Sequence, residues 1–541
     1  LGHGFDDQSA ERVAAATLYE LAYNAVRGHC FISYRNLLAA TSQLSGVPDE
    51  LVAESVDTLV QSGELVRERV AGCDGCYLAH LHEAEAYTAE RLLAMTQTEY
   101  RRMPDTEQIA ARIEAQLGLT FADQQKETLR LACQHQVIAI TGGPGTGKTT
   151  SIRAILALFD VLKLDTQLAA PTGRAAKRMG ELCDRDAQTI HRMLGMTFND
   201  QTGEVTFTKG EKEPLEADAL IVDETSMVDL ALMRALLAAL RPGCRLVLVG
   251  DPDQLPSVGA GNVFSDLIRS GRIATVALRD IFRQAEQSMI VRNAHLVNTG
   301  MPPKLKNAAA NDFFFLPRRD SVRLVETVVE LCKTRLPDKM GIPADELQVL
   351  TPTRRGDAGT RSLNFALQAA LNPPKPGKQE RRFGELIFRE GDRVMQIRNH
   401  YDLPWKRANG TSGTGVFNGD IGTIVSIDPK EDQIHVLFDD REVVYEPEML
   451  SELELAYAIT AHKSQGSEFP AVILPVAQVP PRLCYRNLFY TGVTRARKLC
   501  IVAGRRDVVN RMMSNVRQNL RYSGLCELLK ENLPPEQMAA E

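Results

Sequence analysis

Two kinds of hydrophobic pattern alternate along the 541-residue chain. Near the N-terminus apolar residues recur at helical spacing, which predicts helices over Ala10 to Val26, Phe31 to Ala40 and Pro48 to Ser62. Glu64 to Arg69 and Cys76 to His80 read as a hairpin across Ala71 to Gly75, giving a small winged-helix-like unit. Thr106 to Leu117 and Phe121 to Leu131 are two further predicted helices. From Val137 the pattern changes to short unbroken apolar runs: Val137 to Ile140, Gln167 to Ala170, Ala219 to Val222, Arg245 to Gly250 and Arg272 to Leu278. Such runs suit strands buried on both faces, and each leads through a loop into a helical stretch, so the predicted class is α/β with a parallel sheet.

The same pattern returns at Glu346 to Thr353, Val472 to Val476 and Lys498 to Gly504, which predicts a second sheet. Two insertions interrupt the series. Met196 to Phe207 holds two alternating runs around Asp200-Gln201-Thr202-Gly203, a β-hairpin. Arg393 to Ile397, Gly419 to Ile427, Gln433 to Phe438 and Glu442 to Tyr445 are short strands between Gly and Asp turns, a small β-barrel. The expected units are a helical module over 1–105, a first α/β domain over 106–300 with its hairpin insertion at 196–213, a second over 301–376 and 451–541, and the barrel over 377–450.

Composition narrows the class. With 44% hydrophobic and 24% charged residues the chain reads as globular, and no apolar run is long enough to cross a membrane. No secretory signal opens it, and the leading Leu1 rather than Met points to sequence upstream. Ten scattered cysteines do not form a disulfide framework, so a reducing cytoplasm is expected. The net charge of −6 leaves nucleic-acid binding to local basic stripes such as Arg174, Lys177 and Arg178, or Arg354 and Arg355. Cys73, Cys76, His80 and His82 have ligand-like spacing, but strand alternation would crowd both histidines on one face, so a plain turn is the stronger reading.

The chemistry centres on Gly142 to Thr149, which reads G-G-P-G-T-G-K-T between an apolar strand and a helix. That context defines a phosphate-binding loop. Gly142, Gly143, Gly145 and Gly147 leave room for backbone N–H groups to wrap a phosphate, Pro144 and Thr146 complete the nucleotide-binding loop, Lys148 supplies charge, and Thr149 with Thr150 opens the helix. The expected ligands are ATP and Mg²⁺, the metal held by Thr149 and by Asp223 at the end of A-L-I-V-D-E. Glu224 is placed to polarise the attacking water, and Gln254 to sense the γ-phosphate from the next strand. Gln125, with Gln124 as the alternative, is placed to read the adenine edge. Arg283 and Phe282 are candidates for the γ-phosphate and for stacking on the base. Pro171, Thr172, Gly173 and Arg174 lie at a strand's C-terminal edge, where open sheets bind ligands. Thr189 and His191 are candidates for a phosphate backbone, with a simple N-cap role for Thr189 as the competing reading. Val258, Asn262 and Phe264 sit on a loop placed to reach nucleic acid.

The ordered set G-G-P-G-T-G-K-T, A-P-T-G-R-A, I-V-D-E, G-D-P-D-Q-L-P-S-V, I-F-R-Q, A-H-K-S-Q-G-S-E and Y-T-G-V-T-R-A resembles the motifs of superfamily 1 helicases, in the wording of the RecD branch. The resemblance spans about residues 106 to 510 and suggests the stand-alone kind. It implies two RecA-like domains with ATP between them, single-stranded DNA across both, and 5′-to-3′ movement on tailed duplex DNA, by a monomer. By carry-over, Arg283 and Arg495 contact the γ-phosphate and Gly466 and Glu468 the nucleotide. Thr351, Thr353, Arg354, His462 and Ser467 lie along the strand, and the hairpin sits where the duplex splits. The rival expectations are a translocase that does not unwind and a binding subunit of a larger recombination-repair nuclease. A P-loop kinase or signalling GTPase fits the second sheet and paired arginine motifs poorly.

Overall fold

A computed structural model describes residues 9–531 apart from 99, 101–104, 119, 199–204, 281–286, 306, 309–310 and 517–520. The first sheet runs in the order Ala274–Leu278, Val137–Gly142, Arg245–Gly250, Ala219–Val222, Thr166–Ala170 and Ala187–Thr189. Every pairing in it is parallel. Side chains alternate across it. Val137, Ala139, Leu220, Val222, Leu246 and Leu248 enter one core, while Ile138, Ile140, Ala219, Ile221, Val247 and Val249 enter the other. With both faces dry, the strands have no polar positions to offer.

The second sheet is parallel as well, in the order Phe313–Pro317, Ala496–Gly504, Phe469–Val476, Leu347–Thr351 and Ala458–Thr460. It divides its residues between two cores in the same way, Val472, Leu474 and Val502 on one side, Ile473, Ile501 and Ala503 on the other. Ile290, Ala294 and Val297 of the helix Met289–Asn298 belong to the first of these cores, so packing of the second lobe begins before residue 300.

An antiparallel seven-stranded sheet lies within the second lobe's sequence, ordered Ser412–Val416, His400–Arg407, Arg441–Tyr445, Gln433–Phe438, Ile421–Asp428, Arg393–Gln396 and Leu453–Leu455. It closes round its own core of Phe388, Val394, Leu403, Ile434 and Tyr445. The sequence reading finds four of its strands and passes over Leu453–Leu455 as well as the pair His400–Arg407 and Ser412–Val416. Pro404, Gly413 and Gly415 disguise those two as loop, yet Gly413 lies so close under Trp405 that a Cβ would meet the ring at 2.5 Å. This module also touches the first lobe. Lys177 Nζ lies 2.6 Å from Asp439 Oδ2, and the Phe417 ring covers Gly173.

The N-terminal part packs helices Ala10–Val26, Tyr34–Ser45 and Asp49–Gln61 on an antiparallel sheet ordered Phe31–Ser33, Cys73–Leu78 and Leu65–Val70. Its core is Val13, Leu37, Val52, Val56 and Leu59. Three expectations need correction here. Phe31 to Ser33 is a strand, because Phe31 and Ile32 pair with Tyr77 and Cys76, and the Ser33 hydroxyl then caps the next helix by accepting from Asn36 N–H at 3.3 Å. The hairpin turn is only Ala71–Gly72, with φ of 49° and 74°, the left-handed pair a two-residue turn requires. His80 and His82 ride on the helix Ala79–Thr96, not on a strand, and His82 lies 3.2 Å from Glu68. Among the described residues no group of three or more His, Cys, Asp or Glu side chains is arranged to hold a metal.

The helix Ala79–Thr96 buries Leu81, Leu92 and Leu93 in the first sheet's core, beside Leu525 and Leu529 of the helix Leu525–Glu531. The C-terminal segment, expected with the second lobe, thus returns to the first. Arg521 donates to Ser257 Oγ, Gly259 O and Gly261 O at 3.1, 2.9 and 2.7 Å, and Gly524 N–H donates to the buried Glu85. Among the described residues no helix is long and apolar enough to cross a membrane.

Candidate active site and nucleic-acid interface

The phosphate loop joins the strand Val137–Gly142 to the helix Lys148–Val161, which starts at Gly147 with φ of 86°. Gly142 is required by space, since a Cβ there would meet Thr146 Oγ1 at 2.5 Å and Leu278 O at 3.0 Å. Lys148 Nζ donates to Gly142 O at 2.6 Å and to Gly143 O at 3.1 Å, which holds the ammonium over the loop. The loop opens into a cavity of about 300 Å³. Gly143, Pro144, Gly145, Gly147, Lys148 and Thr149 line it from one side, Asp223, Glu224 and Gln254 from the neighbouring strands, and Gly466, Glu468 and Arg495 from the second lobe. Thr146 is nearly buried, its hydroxyl donating to Gly143 O, and Thr150 lies in the first turn of the helix.

Asp223 and Glu224 follow the strand Ala219–Val222, and Glu224 takes φ of 51°, a left-handed conformation uncommon outside glycine. Glu224 N–H donates to Asp223 Oδ1 at 2.8 Å. Burial first, and then the Glu224 charge, push the Asp223 carboxyl up to about 6. Arg495 comes from the end of the helix Arg486–Thr494 and is 2% exposed. It donates to Gln254 Oε1 and to Ser467 O, and its Nη1 lies 3.8 Å from Glu224 Oε1. Glu468 pairs with Arg178 at 2.7 Å, and Gly466 packs on Thr172.

Sequence reasoning missed a hydrogen-bonded seam between the lobes. Tyr490 O–H donates to Asp251 Oδ2 at 2.8 Å, Leu255 N–H donates to Thr491 Oγ1 at 2.9 Å, and Gln465 Nε2 donates to Leu255 O at 2.7 Å. All of these residues lie inside G-D-P-D-Q-L, H-K-S-Q-G and Y-T-G-V-T-R, so their motifs were visible and only their mutual contact was not. Beside this seam a second cavity of about 270 Å³ is lined by Asp251, Asp253, His295 and Tyr490. Gln125 is buried, with Oε1 accepting from Ala122 N–H and Nε2 left without a partner. Gln124 Oε1 accepts from Arg279 N–H at 2.7 Å. Phe282 and Arg283 lie outside the described residues, as does the tip of the hairpin whose strands are Met196–Phe198 and Val205–Phe207.

The expected nucleic-acid contacts divide by exposure. Val258 is 76% exposed, Arg354 is exposed beside Glu454 at 3.1 Å, and Pro171, Thr172, Gly173, Asn262 and Thr353 are half-buried. Phe264 is a correction. It is 1% exposed, packed in the first sheet's core beneath Gly250, and offers a strand no surface. Thr351 is a second, fully buried with its hydroxyl donating to Ala358 O at 2.7 Å. Thr189 caps a helix by accepting from Arg192 N–H at 3.1 Å, the competing reading. Arg174 donates to Ser467 Oγ at 3.0 Å, which commits both to contact between the lobes. Burial lowers the pKa of His191 and of His462 from the ordinary histidine value, and His462 Nε2 lies 3.2 Å from the Tyr485 hydroxyl.

A phosphate cradle on one parallel sheet, faced by a buried arginine from a second, defines the two-lobed P-loop nucleoside-triphosphatase class. Family profiles described as an AAA domain, an ATP-dependent RecD-like DNA helicase SH3 domain and a UvrD-like helicase C-terminal domain match residues 125–260, 363–438 and 455–503. The chain is 34% identical over 513 residues to the ATP-dependent RecD2 DNA helicase of Deinococcus radiodurans, covering 93% of this chain and 66% of that protein. It is 31% identical over 443 residues to the RecBCD enzyme subunit RecD of Mycolicibacterium smegmatis, covering 75% of each. A solved structure of Bacteroides Pif1 bound to ssDNA aligns with 72% of this chain and 94% of its own at 20% identity, with a TM-score of 0.43. The chain belongs to the RecD-like family of ATP-dependent DNA helicases.

Proposed function

We propose that the chain hydrolyses ATP in this cleft to move along single-stranded DNA, 5′-to-3′ as the family resemblance implies, and parts the duplex ahead of it. The observation that carries this reading is Arg495, a second-lobe guanidinium set between Gln254 and Glu224 of the first lobe. An arginine there stabilises charge on a transferring γ-phosphate and so couples the second lobe to the state of the nucleotide. Lys148 and the N–H groups of Gly143 and of Gly145 to Thr149 hold the outer phosphates, and Glu224 orients the attacking water. The unpartnered Gln125 Nε2 suits an adenine acceptor.

The donor set fits Mg²⁺. A buried carboxylate pushed up to about 6 beside a second carboxylate is stabilised in its ionised form by a divalent cation, and Thr149 faces the same cavity. Thr149 and Asp223 would hold the metal, which when bound neutralises charge on the phosphates. Arg283 and Phe282 keep the roles the resemblance implies.

DNA is gripped by Pro171, Thr172 and Gly173, the loop of Val258 and Asn262, and Thr353 with Arg354. In the described conformation Phe417 lies over Gly173 and Lys177 is paired with Asp439 of the same module, so a strand loads as that module lifts. Ten free cysteines fit a reducing cytoplasm. A second reading, a non-unwinding subunit of a recombination-repair nuclease, is supported by the likeness to a RecBCD subunit. Strand displacement on duplexes with a 5′ or a 3′ tail, with ATPase followed in parallel, separates the two. Displacement from the 5′ tail alone is expected, and DNA-stimulated hydrolysis without displacement on either tail selects the second reading. Shortening the hairpin between Phe198 and Val205 then tests whether it parts the strands.

A further inference from the structure

Aromatic surface is scarce outside the cores. Among the described residues the exposed phenylalanines are Phe365 and Phe383, each at 36%. They come from different elements. Phe365 lies on the helix Thr360–Leu371, and Phe383 ends a strand of the hairpin Glu380–Phe383 and Leu386–Arg389. Gly384, with φ of 57°, makes the tight turn that sets Phe383 opposite Leu386 at the hairpin's tip. Both rings nevertheless line one groove of about 480 Å³, on the second lobe and away from the nucleotide cleft. Two large apolar side chains left facing water in one groove mark a binding site more often than chance packing.

The charges around the rings limit what binds. Arg354 pairs with Glu454 at 3.1 Å and Arg361 pairs with Glu385, while Arg355, on the same wall, has no ion pair or side-chain hydrogen bond among the described residues. A flat apolar surface and one free guanidinium match two parts of a nucleotide: a base face and a phosphate. The volume falls within the range of about 300–1,000 Å³ usual for small-ligand sites, room for one nucleotide rather than a helix. Position adds to this, because Arg354 and Arg355 directly follow Thr353, so the groove continues the proposed DNA track without a gap in sequence.

We propose that this groove binds one nucleotide of single-stranded DNA beyond the cleft, its base stacked on Phe365 and Phe383 and its phosphate on Arg355. This rests on the DNA-binding reading above. The groove is a station on the second lobe alone, so it holds the strand whichever way the lobes move.

The test uses the full chain and oligothymidylates of increasing length, with anisotropy at fixed salt, and a single 2-aminopurine stepped along the longest one. For the wild type, affinity is expected to rise about tenfold at the length that first reaches the groove, the scale of one base stacked on an aromatic. One 2-aminopurine position is expected to be quenched. Phe365→Ala with Phe383→Ala removes both the rise and the quench but leaves binding of short oligonucleotides and the ATPase unchanged. Phe383→Trp restores the rise, and Arg355→Glu abolishes it without touching either ring. Equal length dependence in wild type and double variant overturns the proposal, as does displacement of the long oligonucleotide's extra affinity by an acidic peptide, which assigns the groove to a protein. If the wild type binds no single strand at any length, the functional reading itself fails, an outcome distinct from both.

Discussion

The two parallel sheets are built alike and used differently. Each sends alternate residues to two dry cores. At the first, the strand ends run into backbone held in unusual conformations, Gly145 at φ 75°, Gly147 at 86° and Glu224 at 51°. At the second, the strand and helix ends contribute long side chains instead, Gln465, Glu468, Tyr490 and Arg495. Fixed N–H groups bind a phosphate without needing the other lobe, whereas side chains that reach across a gap report whether the gap is closed. On the proposed reading, one lobe binds and the other senses.

The sharpest way to break that contrast is Arg495→Ala. Steady-state ATPase is expected to fall on the order of 10³-fold while nucleotide binding, followed by fluorescence titration, changes little. Near-normal turnover removes the sensing role. Next, Phe264→Ala is expected to destabilise the protein by about 3 kcal/mol in denaturant titration, with DNA affinity per folded molecule unchanged. A specific loss of DNA binding would return Phe264 to the interface. Tyr490→Phe takes the donor from the buried Asp251 and is expected to weaken nucleotide-driven lobe closure by roughly 1–3 kcal/mol, read as the distance between labels on the two lobes. Smallest is a pH effect at the seam. Burial first, then the Asp251 charge, push the Asp253 carboxyl up to about 6. The folded protein then holds a proton the unfolded chain has released, so stability falls as pH rises from about 4 through 6. Asp253→Asn should flatten that limb in thermal melts across this range.

Legibility in the sequence followed the same divide. The phosphate loop, Asp223 and Glu224 could be read because their chemistry is local, a few residues with a fixed backbone task. The buried strands could be read because dry faces leave only apolar residues. What stayed hidden depends on distant partners. Phe31 to Ser33 is a strand only because Tyr77 and Cys76 lie beside it. Phe264 and Thr351 have residue types that suit a DNA surface, and only the packing beneath Gly250 and the bond to Ala358 O reveal them as interior. Arg521 lies beyond every recognisable motif, yet it fastens the loop from Ser257 to Gly261.

The return of the C-terminal segment has a mechanical consequence. The chain passes from the first lobe to the second between Leu278 and Met289, and comes back between Ser514 and Arg521, where Leu525 and Leu529 anchor it. The two crossings tether the lobes at two places instead of one, which limits the directions in which they can part.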